Sequence, residues 1–171
     1  LVAMDSDPVS LPAYLEEHGR AKDAVGFQNG EVTLTLLRTQ KGKTIHIEHN
    51  VASPRPYSRL YQLTGTKGFA NKYPVEGYAL DSKDLPAEVT KDAEFTAHEY
   101  MPEAVKEALM EAYKDPIVKD MEESAKKVGG HGGMDFIMDS RLIYCLHNGL
   151  PLDMDVYDLA EWCSLIPLTK L

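Results

Sequence analysis

Residues 129–135, Gly-Gly-His-Gly-Gly-Met-Asp, place one imidazole among four glycines and end on a carboxylate. Histidine changes charge near neutral pH, so it can exchange a proton or contact a polar ligand. Glycines on both sides open backbone conformations closed to other residues and let another molecule come close. Two readings stand. The stretch is either a ligand-facing loop or a helix C-cap followed by a connector, with Gly129 or Gly130 as the left-handed residue. The connector explains one or two glycines and leaves His131, Gly132 and Gly133 without a reason, so the ligand loop is the stronger reading. Asp135 is the best single candidate for a functional acid, although helix N-capping is the stronger reading of it.

A second polar stretch is Ser53-Pro54-Arg55-Pro56-Tyr57-Ser58-Arg59. Its two prolines fix alternate φ angles and push the residues before them into extended geometry. Arg55 and Tyr57 are thereby presented on a stiff segment, which suits recognition of a polar ligand because little side-chain entropy remains to be lost. An edge breaker that blocks strand pairing is the equally weighted alternative. His46 and His49 resemble a metal pair only until strand periodicity is applied. Three residues apart on a strand means opposite faces, so they cannot share an ion, and no metal is expected. His49 shares a face with Ile45 and Ile47, as a core histidine or one that reaches a cleft. No pair of carboxylates suited to ordinary glycoside hydrolysis can be located. The glycine loop also lacks dinucleotide spacing and follows a helix rather than a strand.

The elements that must position these groups can be read from periodicity. Leu11 to Arg20 predicts a short helix with Ser10 as N-cap. Glu31 to Thr39 and Thr44 to Val51 predict strands joined by the turn Gln40-Lys41-Gly42-Lys43. Val32, Leu34 and Leu36 share one face of the first. Arg59 to Thr64 and a strand around Phe69-Ala70 follow, joined by Gly65-Thr66-Lys67-Gly68, continuing an antiparallel meander because the connections are too short for parallel crossovers. Lys72 to Thr96 reads as polar loop with short pieces. Helices are expected over Pro102 to Tyr113, Ile117 to Val128 and Met134 to His147, the last ending at Asn148-Gly149. Asp155 caps a final helix whose buried stripe is Val156, Leu159, Trp162, Cys163 and Ile166. The fold class is α+β: an open, mainly antiparallel sheet with helices packed on one face, in a single domain over 1–171.

At 171 residues the chain can bury a substantial core. Its net charge of −9 and lack of a Lys/Arg stripe exclude a phosphate-backbone binder, so no nucleic acid is expected. No apolar run approaches the roughly 20 residues of a membrane span. Cys145 and Cys163 both read as buried free thiols. The start at Leu1-Val2-Ala3-Met4 and the apolar run to Leu171 suggest a piece of something longer.

Several stretches together resemble the C-terminal part of the glucose-fructose oxidoreductase/inositol dehydrogenase/MocA superfamily. Within it they resemble the NAD-dependent glycosidases of glycoside hydrolase family 109. The residues that carry this are 53–61 (Ser-Pro-Arg-Pro-Tyr-Ser-Arg-Leu-Tyr), 65–70 (Gly-Thr-Lys-Gly-Phe-Ala), 130–136 (Gly-His-Gly-Gly-Met-Asp-Phe) and 148–158 (Asn-Gly-Leu-Pro-Leu-Asp-Met-Asp-Val-Tyr-Asp). The resemblance covers nearly the whole chain and is weakest from Tyr73 to Phe95.

It implies the C-terminal, substrate-side domain of an enzyme that hydrolyses α-N-acetylgalactosaminides or similar hexosides. The implied route is transient oxidation at carbon 3 by NAD, elimination, water addition and return of the electrons. NAD would be held mainly by an N-terminal Rossmann domain that this chain lacks. The family's Tyr-Pro-Thr-His segment is also absent; Tyr73-Pro74 continues Val75-Glu76 and does not match. The fragment alone is therefore expected to be inactive. By resemblance Tyr57, then Tyr61, contacts the sugar, and His131 contacts substrate or nicotinamide; Arg55, Arg59 and Asp135 support them. A carbohydrate, the chain's own Rossmann domain and a second copy docked through the sheet face are the implied partners. The implied setting is bacterial, with export. A sugar or cyclitol dehydrogenase of the same superfamily, or a non-catalytic assembly module, are the alternatives.

Overall fold

The computed structural model describes residues 1–50 and 52–170; Val51, expected to end a strand, and Leu171 lie outside the described residues. In chain order the first elements are β1 (Val2–Asp5), α1 (Ser10–Glu17), α2 (Ala21–Ala24), β2 (Val32–Arg38) and β3 (Thr44–Asn50). Then come β4 (Tyr61–Thr64), β5 (Gly68–Lys72), β6 (Gly77–Leu80), α3 (Ala87–Thr90), α4 (Glu103–Ala112) and α5 (Pro116–Val128). A 3-10 turn at His131–Gly133 leads into α6 (Met134–Asn148), and α7 (Val156–Cys163) and α8 (Leu165–Leu168) close the chain. The architecture is α+β, with antiparallel sheets ordered β1-β2-β3 and β4-β5-β6 among the described residues. The chain forms two compact units: Leu1–Pro56 with Asp153–Leu171, and Tyr57–Leu152.

In the first unit the expected hairpin closes at Gly42, whose φ of 79° only glycine adopts readily, with Gly42 N–H donating to the Thr39 carbonyl. Register fixes the faces. Val2 pairs with Leu36, and Met4 with Leu34; all four side chains are exposed. The opposite face carries Thr35, which is buried, flanked by Ala3 and Ile47. The predicted apolar face of β2 is thus the open one. His46 pairs with Leu36 and His49 with Thr33, which puts the two histidines on opposite faces as periodicity requires.

In the second unit the core is Val89, Phe95, Met101 and Val105, with Tyr78, Leu80 and Leu109 among the groups packed against it. The stretch from Lys72 to Thr96, read as polar loop with short pieces, does hold short pieces, but it is not merely polar loop. That stretch supplies β6, α3 and two of the core side chains, in pieces too short to show a period. The predicted continuous meander is two sheets, and the break falls around the prolines of 53–56, after which β4 starts at Tyr61 rather than Arg59.

Three local expectations are corrected as well. Ser10 does not cap α1: Val9 holds the cap position, and the Ser10 hydroxyl donates to Glu31 instead. The last helix divides into α7 and α8, and its supposed buried stripe is exposed at Val156, Leu159, Trp162, Cys163 and Ile166. Cys145 is buried as expected, whereas Cys163 is exposed. The Asp155 cap is present in full: its carboxylate accepts from Tyr157 and Asp158 N–H, and Asp158 accepts from Asp155 N–H. Gly149 ends α6 in the left-handed conformation, as its sequence predicts.

Candidate functional site

Five consecutive residues, Gly129 to Gly133, adopt positive φ, and His131 does so at 46° although it carries a β-carbon. Left-handed backbone in a non-glycine residue is unfavourable by about 1–2 kcal/mol. The packing of the loop explains two of its glycines. A β-carbon on Gly133 would come within 2.7 Å of the Ala125 β-carbon on α5, and Ala125 is buried. A β-carbon on Gly130 would lie 2.9 Å from a carboxylate oxygen of Asp135. Gly133 thus lets α6 start hard against α5, and Gly130 clears the space that the Asp135 side chain occupies.

Asp135 uses that space to face His131. His131 Nδ1 lies 2.9 and 3.1 Å from the two Asp135 carboxylate oxygens. An ionised carboxylate can only accept, so Nδ1 carries the proton and donates it to this contact. Nε2 is the ring nitrogen that this contact leaves over, and the His131 side chain is 73% exposed. N-capping by Asp135 is not realised, because Gly133 occupies the cap and Asp135 sits in the first turn of α6. A negative charge there is favoured by the helix dipole.

A second cluster lies in the same unit. The Arg59 Nε donates to the Tyr57 hydroxyl, and its guanidinium carbon stands 5.5 Å from the Tyr57 ring centre. Tyr73 meets Tyr57 edge to face, with ring centres 5.8 Å apart. The cluster sets an exposed tyrosine ring, Tyr57, beside a cation, which combines apolar ring surface with hydrogen-bond donors. Tyr61 opens β4, opposite Lys72, and is exposed. Among the described residues no hydrogen bond or ring contact joins the tyrosine cluster to His131. Arg55 belongs to the first unit, where it pairs with Glu48 at 3.3 Å and donates to the Asn50 carbonyl.

Two features escaped sequence reasoning. Tyr73 has φ of 66°, and its bond to Pro74 is cis. The residue before a proline is ordinarily extended, so nothing in the sequence signalled this placement. Glu31 is the other. Its carboxylate accepts from the Ser10 N–H at 2.8 Å, the Val9 N–H at 3.2 Å, the Ser10 hydroxyl at 2.5 Å and the Ser53 hydroxyl at 2.8 Å. These bonds, those of Ser10 foremost, outweigh desolvation and hold its pKa down to about 2. Glu31 thereby ties the start of α1 to the residue that opens the Ser53–Arg59 stretch. Among the described residues no group of three or more His, Cys, Asp or Glu side chains could hold a metal ion.

Comparison with known proteins gives the family of the chain. Residues 1–171 match the family described as "Glycosyl hydrolase 109, C-terminal domain". A "Glycosyl hydrolase family 109 protein 1" of Phocaeicola vulgatus is 59% identical over 172 residues, covering 100% of this chain and 36% of that protein. The protein of that name in Bacteroides thetaiotaomicron is 57% identical, covering 100% of this chain and 37% of its own length. A "Glycosyl hydrolase family 109 protein" of Porphyromonas gingivalis is likewise 57% identical, at 100% and 36%. The chain spans about a third of the length of these relatives. It belongs to glycoside hydrolase family 109, of which it is a C-terminal domain.

Proposed function

We propose that this chain is the substrate-side wall of an NAD-dependent glycosidase acting on α-N-acetylgalactosaminides or similar hexosides, and that His131 exchanges a proton with the bound sugar. The observation that carries the reading is the His131–Asp135 pair on its loop of positive φ. Asp135 fixes the tautomer and turns Nε2 outward; a proton carrier needs that arrangement, and a mere connector does not. The Tyr57–Tyr73–Arg59 cluster supplies an aromatic platform and a donor for a sugar in the same unit.

The described residues do not fit a dinucleotide. The glycine loop follows a helix, and Gly133 is packed against Ala125 rather than open to a phosphate. The residues of the parent outside this chain would hold NAD, which when bound would oxidise and re-reduce the sugar. The residues here bind, orient and move a proton. The exposed stripe of Met134, Met138 and Leu142 on α6 suits docking of a Rossmann domain.

The test is hydrolysis of a panel of nitrophenyl glycosides by the full-length parent, with and without NAD. Release from the α-N-acetylgalactosaminide without net NADH, lost in His131→Ala, is expected. Silence on every glycoside, with NADH appearing from free sugars or cyclitols, would replace the glycosidase by a dehydrogenase.

A specific observation also favours self-association. Val2, Met4, Leu34 and Leu36 form an exposed apolar patch on one sheet face, a surface that a second copy would cover. Leu36→Glu in the parent is expected to lower its mass in light scattering; an unchanged mass would remove this face from any interface.

A further inference from the structure

Strand periodicity places His49 either in the core or at a cleft. It is exposed and lines a cavity of about 450 Å³ between the first sheet and α8, within the size range of small-ligand pockets. We propose that this cavity is a second carbohydrate subsite, which takes one neutral hexopyranose unit and is built by residues of the first unit alone.

Register supplies the geometry. Asp5 pairs with Thr33 and Thr33 with His49, so the three side chains form one row across the sheet on the cavity face. With strands about 4.8 Å apart, the Asp5 and His49 backbones stand about 10 Å from each other on either side of Thr33. A hexopyranose seated over Thr33 has hydroxyls on opposite edges of its ring, one to meet the Asp5 carboxylate and one to meet the His49 imidazole. Among the described residues neither the Asp5 carboxylate nor the His49 imidazole has a hydrogen-bond or ion-pair partner. Acceptor, hydroxyl and imidazole in one row match a ring that carries hydroxyls of both roles.

Ile47 in the next row, together with Leu165 and Ile166 from α8, gives an apolar wall for the C–H face of the ring. Gly30 is part of the build. A β-carbon there would meet the Asp5 β-carbon at 2.7 Å, so the glycine is what lets Asp5 stand where it does. One cation, Lys170, also lines the cavity, but Asp5 opposes it, and the mixed signs argue for a neutral ligand over an anion.

The experiment is a methyl-NMR titration of the full-length parent, labelled at isoleucine and leucine methyls, with methyl α-D-galactopyranoside. Saturable shifts of the Ile47 and Ile166 methyls are expected. Asp5→Asn and His49→Gln should each weaken the binding by about tenfold, the loss of one hydrogen bond to a charged or aromatic nitrogen partner. Unchanged positions of the same methyls in the ligand-free variants show that both still fold. Methyls that do not move at any concentration of the glycoside, or that move equally in both variants, overturn the proposal. So do methyls that respond to inorganic phosphate and not to the glycoside, which would make the cavity an anion site. The titration needs neither NAD nor turnover, so its failure is distinct from failure of the proposed glycosidase reaction.

Discussion

Replacing Gly133 by alanine isolates the role of packing in placing the His131 loop. The substitution meets two penalties. The first is backbone: φ at Gly133 is 98°, and a β-carbon at positive φ is unfavourable by about 1–2 kcal/mol. The second is steric: the new carbon would lie 2.7 Å from the Ala125 β-carbon, 2.9 Å from its carbonyl carbon and 3.0 Å from its oxygen. Backbone atoms of a buried helical residue cannot swing aside as a flexible side chain can, so α5 and α6 must separate, an overpacking of about 1–3 kcal/mol. Gly132→Ala is the matched control. Its φ is 73°, and nothing stands within 4 Å of its β-carbon, so it meets the backbone penalty alone. The difference between the two variants is therefore about 1–3 kcal/mol of local stability. It is read by hydrogen–deuterium exchange of the α5 and α6 amides in the full-length parent, where the Gly133 variant should exchange about 5- to 150-fold faster than the Gly132 variant. Equal exchange in the two would show that α6 does not lean on Ala125, and the packing account of the loop would fail.

Glu31 gives a pH signature. Its folded pKa near 2 lies below the ordinary 4.5, so its bonds to Ser10, Ser53 and Val9 are fully present above pH 4.5 and are lost as pH falls towards 2. The wild type should lose stability relative to Glu31→Gln across that window, measured by acid unfolding; parallel curves would show that the tether contributes nothing. At the loop itself, His131→Gly should be about 1 kcal/mol more stable than His131→Ala, because glycine removes the left-handed strain at φ 46° while both remove the imidazole. Thermal unfolding of the two variants checks it, and equal stability would mean that the loop relaxes away from this geometry.

What the sequence showed and hid follows from the length of each signal. Long periodic segments were legible: α4, α5 and α6 appear where helical spacing places them, and the caps at Asp155 and Gly149 use the residues their chemistry favours. Short segments were not. Gly77–Leu80 and Ala87–Thr90 are each four residues, little more than one helical turn or two strand repeats, too short to show a period, yet Val89 belongs to the core of the second unit. Faces were harder still. Periodicity put Val32, Leu34 and Leu36 together but could not say that Thr35, the polar alternate, would be the buried one. The glycine loop was legible as more than a helix cap, because four glycines exceed what a cap needs, and all of residues 129–133 adopt positive φ. The His131–Asp135 pair was not, since an i, i+4 contact between those residues requires the turn at Gly132 and the clearance at Gly130, both tertiary facts.

The same exposure that makes His131 available also limits what it could do in this chain alone. An imidazole open to water competes with solvent for every proton it handles, and a hydrogen bond to substrate there gains little, because water offers the same bond. Positioning is already supplied: Asp135 orients the ring, Gly130 and Gly133 seat the loop, and α5 and α6 hold it from behind. What the pair lacks is a lid that excludes water. Under the proposed function that lid is the remainder of the parent, seated on the exposed apolar residues of α6 beside the loop, so that burial of Met134, Met138 and Leu142 and desolvation of His131 occur in one step. The loop would then be assembled without strain relief or rearrangement of its own. His131 would hold its left-handed backbone in advance, and docking would change only the medium around Nε2.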